Sequence, residues 1–327
     1  MRRHLLAVAV ILTGATGCDN VTWGGSDVRL MPPPTTAADT LSGGETAAPE
    51  DPAQRSYGPL LLAGTREGGR ATLAVVGEIQ GDEVLPVASA AEEVERVERL
   101  TGPASEWVLF ADGVRVGTLT VDTASVSPSY CPARRTVSGV IELVPQASAA
   151  ERLLALPSSV GRVRGYDAFG PLADVYAQRA ATIAWAGEAI PRNQATWPGD
   201  GLVAARQDIQ VFQPVGAPGP AVAATFMYRD QLQISPSPQG AYALFLMGSL
   251  RGGQYLEDYA WYSPSANGGK RAPRFFDHLD WDGDGDTEVL VEVLGAERRW
   301  FASLARRDAQ WVQTFQDACG TGPVTGG

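Results

Sequence analysis

The chain has 327 residues, 44% of them hydrophobic, and a formal net charge of −11. Loss of Arg2 and Arg3 with a leader would deepen that to −13, 24 basic against 37 acidic residues. So acidic a chain, without a basic stripe, has nothing with which to neutralise phosphates, which argues against nucleic acid as a partner. The 37 Gly and 23 Pro supply many turns. They point to a mainly β architecture with a few helices (α+β), built from antiparallel hairpins in a sandwich or propeller-like arrangement. Lys270 is the one lysine among 26 basic residues, a bias that reflects genome composition and carries no functional weight.

Met1-Arg2-Arg3-His4 is a short positive segment followed by an apolar run from Leu5 to Thr13. About nine apolar residues are too few to span a bilayer, which takes roughly 20, but they suit the core of a signal peptide. Ala15-Thr16-Gly17-Cys18 then resembles the lipobox of bacterial lipoproteins, with Ala15 where Leu is usual. The resemblance implies a signal peptide over 1–17 and a diacylglycerol on Cys18. It also implies an exported protein held to a membrane by that lipid, facing the periplasm or the cell exterior. The alternative is an ordinary secretory signal that leaves Cys18 as a thiol. Residues 18–57, rich in Pro, Thr, Ala, Gly and acidic residues, bury too little to offset their ordering entropy and are expected to form a disordered tether. Within it, Trp23, Val28, Leu30 and Met31 are either a short docking strand or a loose hydrophobic spot. Cys131 and Cys319, an even pair in an exported chain, are expected to form a disulfide.

Strand signals dominate from residue 58. Pro59 to Thr65 and Ala71 to Glu78 flank the Gly68-Gly69 turn, and Val84 to Val87 follows. Ser89 with Glu92 predicts a capped helix that Gly102-Pro103 stops. Glu106 to Phe110 and Val114 to Val121 make a hairpin about Asp112-Gly113, and Val137 to Val144 is a further strand. Ser148 with Glu151 predicts a second capped helix, ended by Pro157. A longer helix is expected from Pro171 to about Ala189, with Leu172, Val175, Tyr176, Ile183 and Ala184 on its stripe and Pro191 ending it. The Pro191–Gly201 stretch is the candidate boundary between a mixed β/α region (58–198) and a β-rich region (199–327). In the latter, strands are predicted over Ile209–Phe212, Ala221–Tyr228, Ala241–Gly248, Tyr255–Tyr262, Val289–Leu294, Arg299–Leu304 and Gln310–Phe315. No residue pattern recurs at a fixed period, as several propeller blades would require.

Between Asp277 and Glu288 six carboxylates crowd into twelve residues. From Asp280 the spacing is D-x-D-x-D-G-x-x-E, which places alternate aspartates on the inside of a tight turn, while Gly285 permits the backbone to bring Glu288 round. Calcium needs six to eight oxygens at about 2.3–2.6 Å, and such a loop converges them. Without a cation these carboxylates repel one another. An EF-hand would need a ligand at Val291 and a helix beyond it, where this chain has a strand-like run. The loop instead resembles the strand-joining calcium loops of integrin-type FG-GAP repeats, over about 20 residues. That resemblance implies side-chain ligation by Asp280, Asp282, Asp284 and Glu288, with the carbonyl of Asp286 as a further ligand. The other reading is a solvated acidic turn. His278, the one histidine outside the leader, is read as a surface or hydrogen-bonding residue. With no nucleophile elbow, P-loop or dinucleotide fingerprint either, no catalytic residue is assigned.

The leading expectation is a lipid-anchored, calcium-stabilised cell-envelope protein with a structural or binding role and no identifiable catalysis. Two other readings stay open. One is a secreted hydrolase with acidic catalytic residues. The other is a glycan- or small-molecule-binding lipoprotein using Tyr255, Tyr259, Trp261 and Tyr262, although their spacing fits a buried strand face better.

Overall fold

The computed structural model describes residues 57–87, 89–161, 169–265, 269–308 and 310–320. The expected signal peptide, Cys18 and the tether up to Ser56 lie outside these residues. The described chain is β-rich, and every strand pairing in its three sheets is antiparallel.

The first sheet takes strands β1 (Leu60–Glu67), β2 (Arg70–Gln80), β3 (Glu83–Leu85), β4 (Glu106–Ala111), β5 (Val114–Ser127), β6 (Arg134–Leu143) and β7 (Arg152–Pro157). Their order is β1-β7-β4-β5-β6-β2-β3, and an added β1–β2 pairing closes six strands into a barrel with β3 on its flank. Period-two alternation explains the runs of unbroken hydrophobicity. Leu60, Leu62, Leu73, Trp107, Leu109, Leu153 and Ala155 fill the barrel, while Leu61, Ala63, Ala74, Val108, Phe110, Leu154 and Leu156 point outwards into a second core.

Helix α1 (Ala91–Leu100) packs on the barrel through Val97, which joins its core. It starts without the expected capping box, because Ala90 occupies the cap and no side chain bonds there. The second expected helix is absent. Pro145–Ala147 is a single 3-10 turn, and Leu153 to Leu156 form β7, fully buried between β1 and β4. A strand needed on both faces overrides the local capping signal. The short α2 (Ser158–Gly161) follows directly.

Helix α3 (Tyr176–Arg192) starts five residues later than expected and runs one past Pro191. Its entry is fixed by Gln178, whose Oε1 accepts the Val175 N–H at 2.6 Å. The predicted stripe is correspondingly rotated. Leu172, Val175 and Tyr176 are exposed, and the buried face is Gln178, Thr182, Trp185, Ala186, Ala189 and Ile190. After α4 (Leu202–Ala205), strands β8 (Arg206–Phe212), β9 (Ala221–Tyr228), β10 (Tyr242–Arg251) and β11 (Gln254–Pro264) form one four-stranded meander. Strands β12 (Ala272–Leu279), β13 (Glu288–Leu294), β14 (Arg299–Arg307) and β15 (Gln310–Gln316) form a second.

The elements stack in layers. Helix α3 packs on one face of the first meander through Trp185, Ala186 and Ile190. The other face meets the second meander through Phe212, Phe245, Trp261, Val291 and Trp300, a sandwich core. The far face of the second meander, with Phe276, Leu290 and Phe301, packs on the outside of the barrel. The expected disulfide joins Cys131 to Cys319 with Cα atoms 5.7 Å apart, tying the segment between β5 and β6 to the end of β15. Beside it, Arg134 is ion-paired with Asp317, and Tyr130 bridges to Arg299.

Candidate metal centre

The acidic loop joins β12 to β13, so the meander itself brings Asp280 and Glu288 to its two ends. Gly283 and Gly285 take positive φ values of 86° and 96°, which let the chain reverse within a few residues. Each aspartate caps the turn that follows it. Asp280 Oδ1 accepts the Gly283 N–H at 2.7 Å, Asp282 Oδ1 the Asp284 N–H at 3.1 Å, and Asp284 Oδ1 the Asp286 N–H at 2.8 Å. The loop is also clasped from outside, since the Val215 N–H donates to Thr287 Oγ1 at 2.7 Å.

Three carboxylates converge. Asp280, Asp282 and Glu288 each offer an oxygen, and these oxygens lie within 4.8 Å of one another, close enough to hold a metal ion. Asp284 and Asp286 are on the exposed side of the loop, outside this set, though Asp284 still acts on Glu288 electrostatically. Asp277, the first of the six acidic residues, belongs elsewhere. Its buried carboxylate accepts the Asp112 N–H at 3.0 and 3.1 Å and the His278 N–H at 2.7 Å.

Glu288 has the least favourable setting of the group. It is 1% exposed; Oε2 accepts the Trp281 N–H at 3.0 Å, but Oε1 is buried without a partner. Burial, reinforced by Asp282, Asp280 and Asp284, pushes its carboxyl up to about 9, against a partial offset from the Trp281 N–H. A carboxylate in such a place is stabilised either by a proton or by a cation shared with its neighbours. A buried acceptor lacking a donor, facing two further carboxylates, is the environment a divalent ion fits.

His278 is a correction to the surface reading. It is 3% exposed, its ring lies 4.8 Å from that of Phe212, and Nδ1 has no hydrogen bond, the nearest carboxylate oxygen being Asp277 Oδ1 at 3.5 Å. Gly113 leaves space for it, because a Cβ there would fall 2.6 Å from Nε2. The aromatic residues of β11 likewise do not form an exposed platform. Tyr259 and Trp261 pack into the sandwich core, Tyr255 and Tyr262 into the core beneath α3.

Two residues of consequence are given no role by the sequence: Trp281 is not singled out there, and Lys270 reads as genome bias. Trp281 is fully buried and supplies the one hydrogen bond to Glu288, a role that burial alone reveals. Lys270 is 3% exposed and donates to Asp230 Oδ1 at 3.1 Å, Gln231 O at 2.7 Å and Ser235 Oγ at 3.3 Å. A compact ammonium places three donors round one point, which a planar guanidinium does not, so the lone lysine has a structural reason after all. Among the described residues no helix is long and apolar enough to cross a membrane. No family model matches this chain, and neither does any curated protein or solved structure.

Proposed function

We propose that this chain is a lipid-anchored cell-envelope protein whose β-rich body is braced by one calcium ion at the β12–β13 loop and serves a structural or binding role. The observation that carries the cation is Glu288, a buried carboxylate with one oxygen unpartnered, set against Asp280 and Asp282. Calcium suits this all-oxygen ligand set, which backbone carbonyls and water complete in such loops. The lipobox-like Ala15-Thr16-Gly17-Cys18 supports export, and the Cys131–Cys319 disulfide is compatible with an oxidising compartment. There a site with a dissociation constant of roughly 10⁻⁴–10⁻³ M stays filled.

The converging carboxylates come from a single loop and its flanking strand, which suits a brace rather than a hydrolytic pair arriving from separate elements across a cleft. Chelation is expected to lower the melting temperature of the full chain, and added calcium to restore it. Asp282→Ala should reproduce the chelated curve and remove the calcium response. Superimposable melting curves with chelator and with calcium would end the proposal.

A further inference from the structure

Strand β7 of the barrel lies against β12 of the second meander. Thr65 pairs with Arg152 at the last rung of the β1–β7 ladder, and the Arg66 N–H donates to the Glu151 carbonyl at 3.0 Å. Here Arg66 of β1, Arg152 of β7 and Arg274 of β12 line one cavity of about 380 Å³, with Glu151 as the one acidic residue of its wall. The three arginines come from segments far apart in the chain, so the sequence shows no basic stripe. In a protein of net charge −11, three cations to one anion run against the overall balance. Even with Arg274 compensated by Glu292, the wall stays positive.

Each guanidinium is fixed by part of its fork and keeps the rest unused. The β12 register slips between Phe275 and Asp277, and the carbonyls of Phe275 and Phe276 accept Arg152 Nη1 at 2.6 and 3.4 Å. Arg66 Nη2 donates to the Ser148 carbonyl, and Arg274 gives Nε and Nη2 to Glu292. Among the described residues no carboxylate pairs with Arg66 or Arg152, and Glu151 is exposed and pairs with no cation. The remaining N–H groups are open. Arg66 and Arg152 are half-buried, none of their nitrogens is enclosed without an acceptor, and the Arg274 side chain is 27% exposed. Guanidiniums held by carbonyls and lacking a counter-charge are prepared for an oxyanion. One fork suffices for the two oxygens of a carboxylate, whereas a phosphoryl group brings three acceptor oxygens and about two negative charges, matching the two uncompensated arginines. The cavity has the size of small-molecule pockets, so the phosphoryl group comes with an organic body. We propose that the cavity between β1, β7 and β12 binds a small phosphate monoester, its oxygens meeting the open N–H groups of Arg66, Arg152 and Arg274.

The probe is glycerol phosphate, titrated by calorimetry into the full chain. Saturable binding at one per chain is expected. Arg66→Gln should weaken it by about tenfold, whereas Arg70→Gln, an exposed arginine nearby and outside the wall, removes the same charge and should not. Melting curves of both variants confirm that they are folded. Asp282→Ala should leave the affinity unchanged, which separates this site from a phosphate held through calcium at the acidic loop. Glycerate, with a carboxylate in place of the phosphate, should bind about tenfold or more weakly. Displacement of the probe by phosphatidylcholine vesicles carrying phosphatidic acid, but not by phosphatidylcholine alone, would identify a lipid headgroup as the source of the ester. No displacement by either would identify a soluble one. Absence of saturable binding, binding undiminished by Arg66→Gln, or equal loss in both arginine variants would overturn the site. Equal affinity for glycerate would overturn the phosphoryl assignment.

Discussion

Strand β13 holds two buried glutamates four residues apart, each 1% exposed, and they are treated in opposite ways. Glu292 sits opposite Arg274 in the ladder and accepts from its Nε at 2.8 Å and from Arg299 Nη1 at 3.1 Å. Two guanidiniums from the neighbouring strands compensate one carboxylate, within the sheet itself. Glu288, at the strand's other end, faces Asp280 and Asp282 and has a single backbone N–H. Equal burial therefore does not mean equal chemistry. One glutamate is completed by the fold, and the other keeps one oxygen without a donor.

The largest effect is expected where the completed pair is broken. Glu292→Ala leaves two half-buried arginines without their carboxylate and should cost about 3 kcal/mol, the lower end of the range for a broken buried pair because both arginines reach solvent. Denaturant unfolding should show that loss equally with calcium and with chelator. Glu288→Gln should act the other way round. The amide is neutral without taking up a proton on folding, so in chelator at neutral pH the variant should equal or exceed the wild type, by about 1 kcal/mol or more. Calcium should no longer raise its melting temperature.

The same contrast has a pH signature. Glu288 without a cation holds its proton up to about 9, well above the ordinary 4.5. Folded protein thus binds that proton more tightly than unfolded protein does. Its contribution is complete below 4.5 and is lost as the pH climbs through 9. Chelated wild type should lose stability across this window relative to Glu288→Gln, and melting curves at a series of pH values measure the divergence. The smallest effect belongs to Asp284→Asn, which removes an exposed charge outside the converging set. Its stability in chelator should stay within about 0.5 kcal/mol of wild type, and its calcium response should fall less than that of Asp282→Ala.

The pattern of oxygens in this loop was legible because ligand spacing is local, and so were the hairpins about Gly68-Gly69 and Asp112-Gly113, which rest on turn chemistry. Barrel closure was not legible. It depends on β1 pairing β7, as in Ala63↔Leu154, between segments whose apolar runs would suit any buried neighbour. Ser148 and Glu151 signalled a helix for the same reason, since nothing nearby discloses that Leu153 to Leu156 will be enclosed on both faces. Within the site, six acidic residues looked alike in sequence. Which of them have their oxygens taken up by backbone N–H groups, as Asp277 does, and which keeps one oxygen unpartnered, as Glu288 does, follows from how β4–β5, β12 and β13 meet.

Terbium luminescence tests the cation at Asp280, Asp282 and Glu288 most directly, because terbium takes calcium's oxygen ligands and the indole of Trp281 lies within the same loop to sensitise it. Excitation of the indole in wild-type protein should give terbium emission that calcium displaces and that Glu288→Gln abolishes. Emission that is absent, or equally strong in Glu288→Gln, would contradict a cation held by the buried glutamate.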